Sequence, residues 1–367
     1  MPKEKPVTGR KRRQMRELDD IRSFLKNYDG PDVKIMEVCG THTAAIMHLG
    51  IPSMLSEHIR LISGPGCPVC VTVTAYIDKL VALAMNPSNI VYAFGDLLRV
   101  MGSQKSLSMA KADGARVRMV YSPLDMLDAA GKDPAHTHIF AAVGFETTTP
   151  VYALLLEEAA RRKIRNIKLL TSLKTMPAVI DRLCRMNGTD GGSPVTGFIA
   201  PGHVCAVSGY AAYRTLAEKY RLPFVVSGFT GESLLASIYT LVKCAGEPLV
   251  RNYYPQVVRE EGNKAAQEAV LRMFRPCDAA WRGLSVIEGS GMVLREEYKD
   301  MDAGSENLLE DRTGTGCRCA DVLTGKILPE ECPMFGRTCT PREPKGACMV
   351  SQEGSCFNHF AAAGIRN

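Results

Sequence analysis

Residues 138–162 read HIFAAVGFETTTPVYALLLEEAARR. An apolar run over 138–143 gives way to a glycine and three threonines, then to a stretch over 150–162 whose apolar residues recur at helical spacing. Strand, turn and helix in that order make one βα unit. Working outward, the same unit recurs on both sides. The pattern predicts strands at 33–38, 60–63, 90–94 and 117–121 upstream, and at 167–171, 198–200 and 224–227 downstream. Between them it predicts helices at 74–85, 103–113, 150–162, 177–186, 206–220 and 232–244. Strands this continuously apolar belong to a parallel sheet covered on both faces.

The expected fold class is therefore α/β, with two doubly wound, Rossmann-like lobes facing a cleft. From about residue 248 the pattern changes. Residues 251–256 are rich in Tyr and Pro, 263–274 are helical, 285–287 are at best a short strand, and after Gly314 the chain is loop-rich and dense in cysteine. The expected domains are a basic flexible leader over 1–20, a first lobe over 21–145, a second over 146–247, and a cysteine-rich C-terminal domain over 248–367. In doubly wound folds ligands collect beyond the carboxyl ends of the strands.

The chain has 367 residues, 46% of them hydrophobic and 23% charged, which excludes wholesale disorder and leaves room for genuine cores. Its formal charge of +6 owes much to the leader. No basic patch interleaved with aromatics follows, so nucleic acid is not an expected partner. No apolar run is long enough for a bilayer or a signal peptide. Arg12 and Arg13 are followed by Gln14, Arg16, Glu17, Asp19 and Asp20, not by the apolar stretch that twin-arginine export requires. The expected compartment is the cytoplasm, without membrane association. Thirteen cysteines are many for a reducing compartment, which directs attention to metal or redox chemistry.

Cys39-Gly40-Thr41-His42-Thr43 stands between an apolar strand and a helical segment. A thiol there faces a helix N-terminus, whose amides and dipole favour thiolate, a soft metal ligand. The alternative is a buried cysteine beside a threonine cap. In Gly64-Pro65-Gly66-Cys67-Pro68-Val69-Cys70 the spacing suits a reversible disulfide or half of a zinc site, and the glycines let the backbone turn sharply. Three loops follow apolar strands: Gly144-Phe145-Glu146-Thr147-Thr148-Thr149-Pro150, Pro201-Gly202-His203-Val204 and Gly228-Phe229-Thr230-Gly231-Glu232. Thr149 before Pro150 reads as a helix cap. Glu146 and His203, which no turn demands, read as polar groups lining the cleft. In the tail, Cys317, Cys332, Cys339 and Cys356, with Cys319 and Cys348 also available, suit an iron–sulfur cluster, structural zinc being the alternative. Cys184, Cys205, Cys244 and Cys277 read as packing residues. No G-x-x-x-x-G-K-[ST] loop is present, so any ATP hydrolysis would need another site, and the sequence leaves nucleotide binding open.

Taken in order, Cys39-Gly40-Thr41-His42, the Gly64-to-Cys70 motif, Gly144-Phe145-Glu146-Thr147-Thr148, Pro201-Gly202-His203-Val204 and the tail Cys332-Pro333, Cys339-Thr340-Pro341, Cys348-Met349-Val350-Ser351 and Glu353-Gly354 closely resemble the HypD family of hydrogenase maturation factors over roughly residues 20 to 360. The resemblance implies a C-terminal [4Fe–4S] domain beside the two lobes. It implies a scaffold and redox protein, not a conventional turnover enzyme, on which the Fe(CN)2CO unit of [NiFe]-hydrogenase is assembled. Partners implied are HypC, which shares the iron, HypE, which supplies cyanide with HypF upstream, and the hydrogenase large-subunit precursor, reached through HypC. Carried onto this chain, Cys39 is the ligand of the transient Fe(II) bearing CN and CO, His42 sits beside it, Cys67 and Cys70 are the redox pair, and Cys317, Cys332, Cys339 and Cys356 hold the cluster. The competing function is a cluster-dependent dithiol/disulfide oxidoreductase working through Cys67 and Cys70. A zinc-stabilised binding module without redox chemistry is the third.

Overall fold

The computed structural model describes residues 9–187, 194–312 and 316–364, with side chains from residue 16 onward. Its strands are β1 (Val33–Glu37), β2 (Ile59–Ser63), β3 (Asn89–Ala93), β4 (Val117–Met119), β5 (Thr137–Gly144), β6 (Ile167–Lys174), β7 (Gly197–Ala200), β8 (Phe224–Val226), β9 (Val250–Asn252), β10 (Phe274–Trp281) and β11 (Ser285–Leu294). They form two sheets. The smaller, ordered β2-β1-β7-β8-β9, is parallel throughout. The larger, ordered β10-β11-β6-β5-β3-β4, is parallel from β6 to β4 and carries β11 and β10 as an antiparallel hairpin.

Alternation explains why the central strands read as uninterrupted apolar runs. On β5, Phe140 and Ala142 enter one core with Tyr92, Tyr152 and Leu156, whereas Ile139, Ala141 and Val143 enter another with Val91, Tyr76 and Leu80. In the small sheet Ile35, Ile199 and Val225 face one core, and Met36, Phe198 and Phe224 face the other. Each strand thus buries both faces, the signature of a parallel sheet clad by helices on both sides.

All eight strands expected from the sequence form. The consecutive lobes do not. The chain leaves the small sheet after β2, returns at β7 and leaves again after β9, so the boundary expected at 145/146 falls between β5 and β6, which pair from His138↔Ile167 to Gly144↔Leu173. The C-terminal domain expected over 248–367 is likewise divided: β9 closes the small sheet, β10 and β11 extend the large one, and the cysteine-rich part lies beyond them. The short strand expected at 285–287 is the start of a much longer one.

Locally, the helix expected at 206–220 breaks into Gly202–Ser208 and Ala211–Tyr220 because Gly209 takes φ +77°, and a Cβ there would strike the Glu260 carbonyl. The helix expected at 103–113 shortens to Leu107–Ala112, with the Ser106 hydroxyl accepting the Met109 N–H. Thr149 is already helical, and its hydroxyl donates to the Phe145 carbonyl instead of capping. Of the leader expected to be flexible, residues 1–8 lie outside the described residues, whereas α1 (Gly9–Lys26) is a helix. Its Leu18, Ile21, Phe24 and Leu25 pack into the small-sheet core, with Phe24 edge-on to Tyr239. No helix among the described residues is long and apolar enough to cross a membrane.

Candidate metal and thiol site

The carboxyl ends of both sheets converge on a cleft of about 540 Å³. Its wall comprises Val38, Cys39, Gly40 and Thr41 after β1, Gly66, Pro68 and Val69 after β2, Phe94 and Leu97 after β3, Phe145, Thr147 and Thr148 after β5, and Pro201, His203 and Val204 after β7, with Glu353 reaching in from the tail. The lining is mostly apolar, with Thr41, Thr147, Thr148, His203 and Glu353 as its polar members.

Cys39 is the N-cap of α2 (Gly40–His48) and only 8% exposed. The backbone N–H groups of Thr41 and His42 face its sulfur and favour the thiolate, as the sequence suggests, but desolvation dominates and pushes the thiol up to about 12. Without a cation the sulfur therefore stays protonated at neutral pH. The backbone around it is fixed by close approach. A Cβ on Gly66 would overlap the Cys39 amide, Gly40 N–H donates to the Gly66 carbonyl at 3.1 Å, and a Cβ on Gly40 would come within 2.5 Å of the Glu353 carbonyl oxygen. Glu37 completes the seat from beneath. Its carboxylate accepts the Cys39 N–H at 3.0 Å and the Thr43 hydroxyl at 2.5 Å, and burial raises it to about 6.

Cys67 and Cys70 form a disulfide just behind this wall, 3% and 0% exposed, with Cα atoms 5.3 Å apart. The Cys70 sulfur lies 3.8 Å from the Ala347 carbonyl, next to Cys348. His42 and Glu146, expected at the cleft, do not line it. His42 is fully buried, with Nε2 3.2 Å from the Ser227 carbonyl and Nδ1 without a partner among the described residues, and burial lowers it to about 4, so it is neutral. Phe229 stands between its ring and that of His203, with centroids 4.6 and 4.2 Å away. Glu146 turns inward and accepts the Met176 N–H at 2.8 Å, an anion at the start of the helix Met176–Met186, and desolvation raises it to about 7. His203 does line the cleft.

All six tail cysteines surround one cavity, walled by Met334, Phe335 and Met349. Cys319 and Cys348 are in mutual contact, sulfur to sulfur at 2.6 Å. Cys317, Cys332, Cys339 and Cys356 occupy the remaining rim. The Lys345 N–H is 3.4 Å from the Cys339 sulfur, and a Cβ on Gly346 would lie 2.5 Å from the Cys317 sulfur. Soft thiols, a backbone amide aimed at sulfur and apolar walls suit a cluster whose irons each take one thiolate. The space is about 20 Å³, so the sulfurs must move apart on loading. Among the described residues no three His, Cys, Asp or Glu side chains converge as a single-ion site.

The tail is tied to both sheets. Ser351 donates its hydroxyl to Asp96 at 2.8 Å, the Arg99 guanidinium donates to the Pro341 carbonyl at 2.6 Å, and Arg60 pairs with Glu331 at 2.9 Å. Sequence reasoning missed the roles of Glu37 and Phe229, and left open whether Cys319 and Cys348 join the ligand set or form a second redox pair. The signal for Glu37 was present: a carboxylate inside an otherwise apolar strand, two residues before Cys39.

A family model described as HypD, hydrogenase formation hypA family, matches residues 14–363. Hydrogenase maturation factor HypD of Escherichia coli (strain K12) is 42% identical over 337 residues, covering 88% of this chain and 87% of that protein. The factor of the same name from Rhodobacter capsulatus is 40% identical over 346 residues, covering 91% and 90%. Hydrogenase expression/formation protein HupD of Azotobacter chroococcum mcd 1 is 38% identical over 336 residues, 89% of each. The motifs that place a thiol in the cleft, a disulfide behind its wall and six further cysteines round a second cavity thus lie within a match spanning nearly the whole chain, and the protein belongs to the HypD family.

Proposed function

We propose that this protein serves hydrogenase maturation as the scaffold on which the Fe(CN)2CO unit is assembled, with iron as cargo on Cys39. The observation that carries the reading is the placement of one thiol, Cys39, in the wall of an apolar cleft formed by the strand ends of both sheets. A thiol held up to about 12 gives its proton away only to a cation that replaces it, and ferrous iron with soft cyanide and carbonyl co-ligands suits a thiolate. The Thr41 and His42 amides then face the sulfur's charge, while neutral His42 adds none of its own. The open side of the cleft, beside His203, is where HypC would bring the second thiolate. HypE, charged by HypF, would deliver cyanide there, and HypC would carry the product to the large-subunit precursor. Thiol chemistry of this kind belongs in a reducing compartment, and we place it in the cytoplasm.

Cys317, Cys332, Cys339 and Cys356 would hold a resident [4Fe–4S] cluster, with Cys319 and Cys348, two free thiols in mutual contact, outside the ligand set. Such a cluster supplies single electrons. Cys67 and Cys70 store two as a dithiol, and the contact of Cys70 with the Ala347 carbonyl sets that pair against the tail.

The test is anaerobic co-expression with the other maturation factors, followed by iron and sulfide analysis and infrared spectroscopy. Cys39→Ala should abolish the cyanide and carbonyl bands and leave the four irons and four sulfides of the cluster in place. Bands of wild-type intensity in Cys39→Ala overturn the assignment. The Cys67–Cys70 disulfide favours a second reading, a cluster-dependent dithiol/disulfide oxidoreductase. Turnover of a disulfide substrate that needs Cys67 and Cys70 but is indifferent to Cys39 would select it.

A further inference from the structure

Behind the Cys67–Cys70 disulfide, where the β10–β11 turn meets the end of β6, two cations are buried. Arg282 is 4% exposed. Its backbone N–H donates to the Val71 carbonyl at 2.9 Å and its Nε to the Thr72 carbonyl at 2.8 Å, so it is seated on the two residues that follow Cys70. Its nearest carboxylate, Asp311, is 3.8 Å away, and its Nη2 has no hydrogen-bond partner among the described residues. Lys174 is 3% exposed. Among the described residues its Nζ donates to a neutral hydroxyl, Ser172 Oγ at 3.0 Å, and sits 5.7 Å from the Trp281 ring centroid. Ser172 is 3.4 Å from the Thr72 hydroxyl, which in turn donates to the Pro68 carbonyl inside the Cys67-to-Cys70 turn.

Two positive charges facing one distant carboxylate are costly in an interior, each by several kcal/mol unless compensated. The disulfide offers a compensating charge that exists only once it is reduced. We propose that Arg282, seconded by Lys174, is a positioning residue for the redox chemistry of Cys67 and Cys70: its guanidinium clamps the backbone after Cys70 and supplies the positive charge against which a thiolate forms when the disulfide opens. The inference rests on the reading of this pair as redox-active. In the reaction a thiolate of a dithiol reductant attacks one sulfur, and the S–S bond breaks. The other sulfur leaves as thiolate with the electron pair. The reductant's second thiol then closes its own disulfide, and the pair ends as one thiol, carrying one of the two protons the reductant lost, and one thiolate held by the cation, the other proton passing to solvent. A buried cation stabilises the leaving thiolate and thereby favours the reduced pair. Burial lowers Lys174 to about 8, leaving it charged at neutral pH.

The experiment equilibrates the full chain anaerobically with reduced and oxidised dithiothreitol at pH 7, traps thiols by alkylation, and weighs the peptide bearing Cys67 and Cys70. Arg282→Met should shift the equilibrium about tenfold toward the disulfide, or about 30 mV by the two-electron relation. Arg282→Lys should recover most of that shift, and Lys174→Met should move it about threefold in the same direction as Arg282→Met. A folded Arg282→Met protein with the wild-type equilibrium overturns the proposal, as does Arg282→Lys behaving like Arg282→Met. Should Arg282→Met fail to fold, Lys174→Met decides alone, and an unmoved equilibrium is again fatal. A wild-type pair that no buffer ratio oxidises or reduces refutes the redox reading itself, before any variant is compared.

Discussion

The two sulfur centres of this protein are built in opposite ways. Around Cys39 the geometry belongs to the backbone: a strand end, a helix N-terminus, two glycines pressed against neighbouring main chain and a buried carboxylate beneath. Around the tail cavity there are three short helices, Cys319–Leu323, Ala347–Val350 and Ser355–Ala362, joined by turns, and six sulfurs round a space of about 20 Å³. On the proposed reading the first centre is ready before its cargo arrives, and the second would take much of its order from the cluster its cysteines would hold, which would let a segment so poor in large apolar residues form part of a folded protein.

Removing bound iron with a chelator gives the largest contrast. Hydrogen exchange over residues 316–364 should accelerate by about a hundredfold or more, while β1 and β5 keep their protection. Equal loss in both regions would erase the distinction. Glu146 probes the folded side next. Its carboxyl is raised from 4.5 to about 7, so the folded state favours the protonated form. That contribution is complete below pH 4.5 and is lost as pH rises through 7, about 3 kcal/mol in all. Glu146→Gln keeps an acceptor for the Met176 N–H and should lack this decline when urea midpoints are compared at pH 5 and pH 8. Gly66→Ala drives a methyl into the Cys39 backbone and should cost about 1–3 kcal/mol. Gly131→Ala, whose nearest neighbour would be 3.6 Å away within a helix, should be neutral or stabilising in the same titration. The smallest effect belongs to Arg60→Ala. Its bridge to Glu331 joins β2 to the tail, but the partners are 46% and 48% exposed, and the loss should stay below about 1 kcal/mol.

Local pattern made the βα units legible, because apolar runs such as 138–143 and 167–171 and the turns after them are short-range signals. Sheet membership is not short-range. Nothing inside Phe198 or Ile199 states that their strand pairs with Met36 and Glu37 instead of following β6 into the large sheet. The hairpin β10–β11 was hidden for a different reason: Pro276, Asp278, Gly289 and Gly291 lower its strand propensity, and its pairing, not its composition, holds it. At the site, the sequence named Cys39, the Cys67–Cys70 pair and the six tail cysteines. It misjudged His42 and Glu146 because a side chain's direction depends on what packs behind it. Phe229, between the rings of His42 and His203, was quoted within its loop and given no role, since stacking between distant loops leaves no local mark.

The contact between Gly40 and Glu353 has a consequence for the order of events during synthesis. The thiol at residue 39 leaves the ribosome early, but the small sheet waits for β9 and the large one for β11, and the wall that presses on Gly40 is translated later still. Until then Cys39 is one thiol on an unfinished chain, without the enclosed cleft. If the cleft receives iron as proposed, the receiving site comes into being only when its last wall does, and a partial chain would have nowhere to accept cargo prematurely.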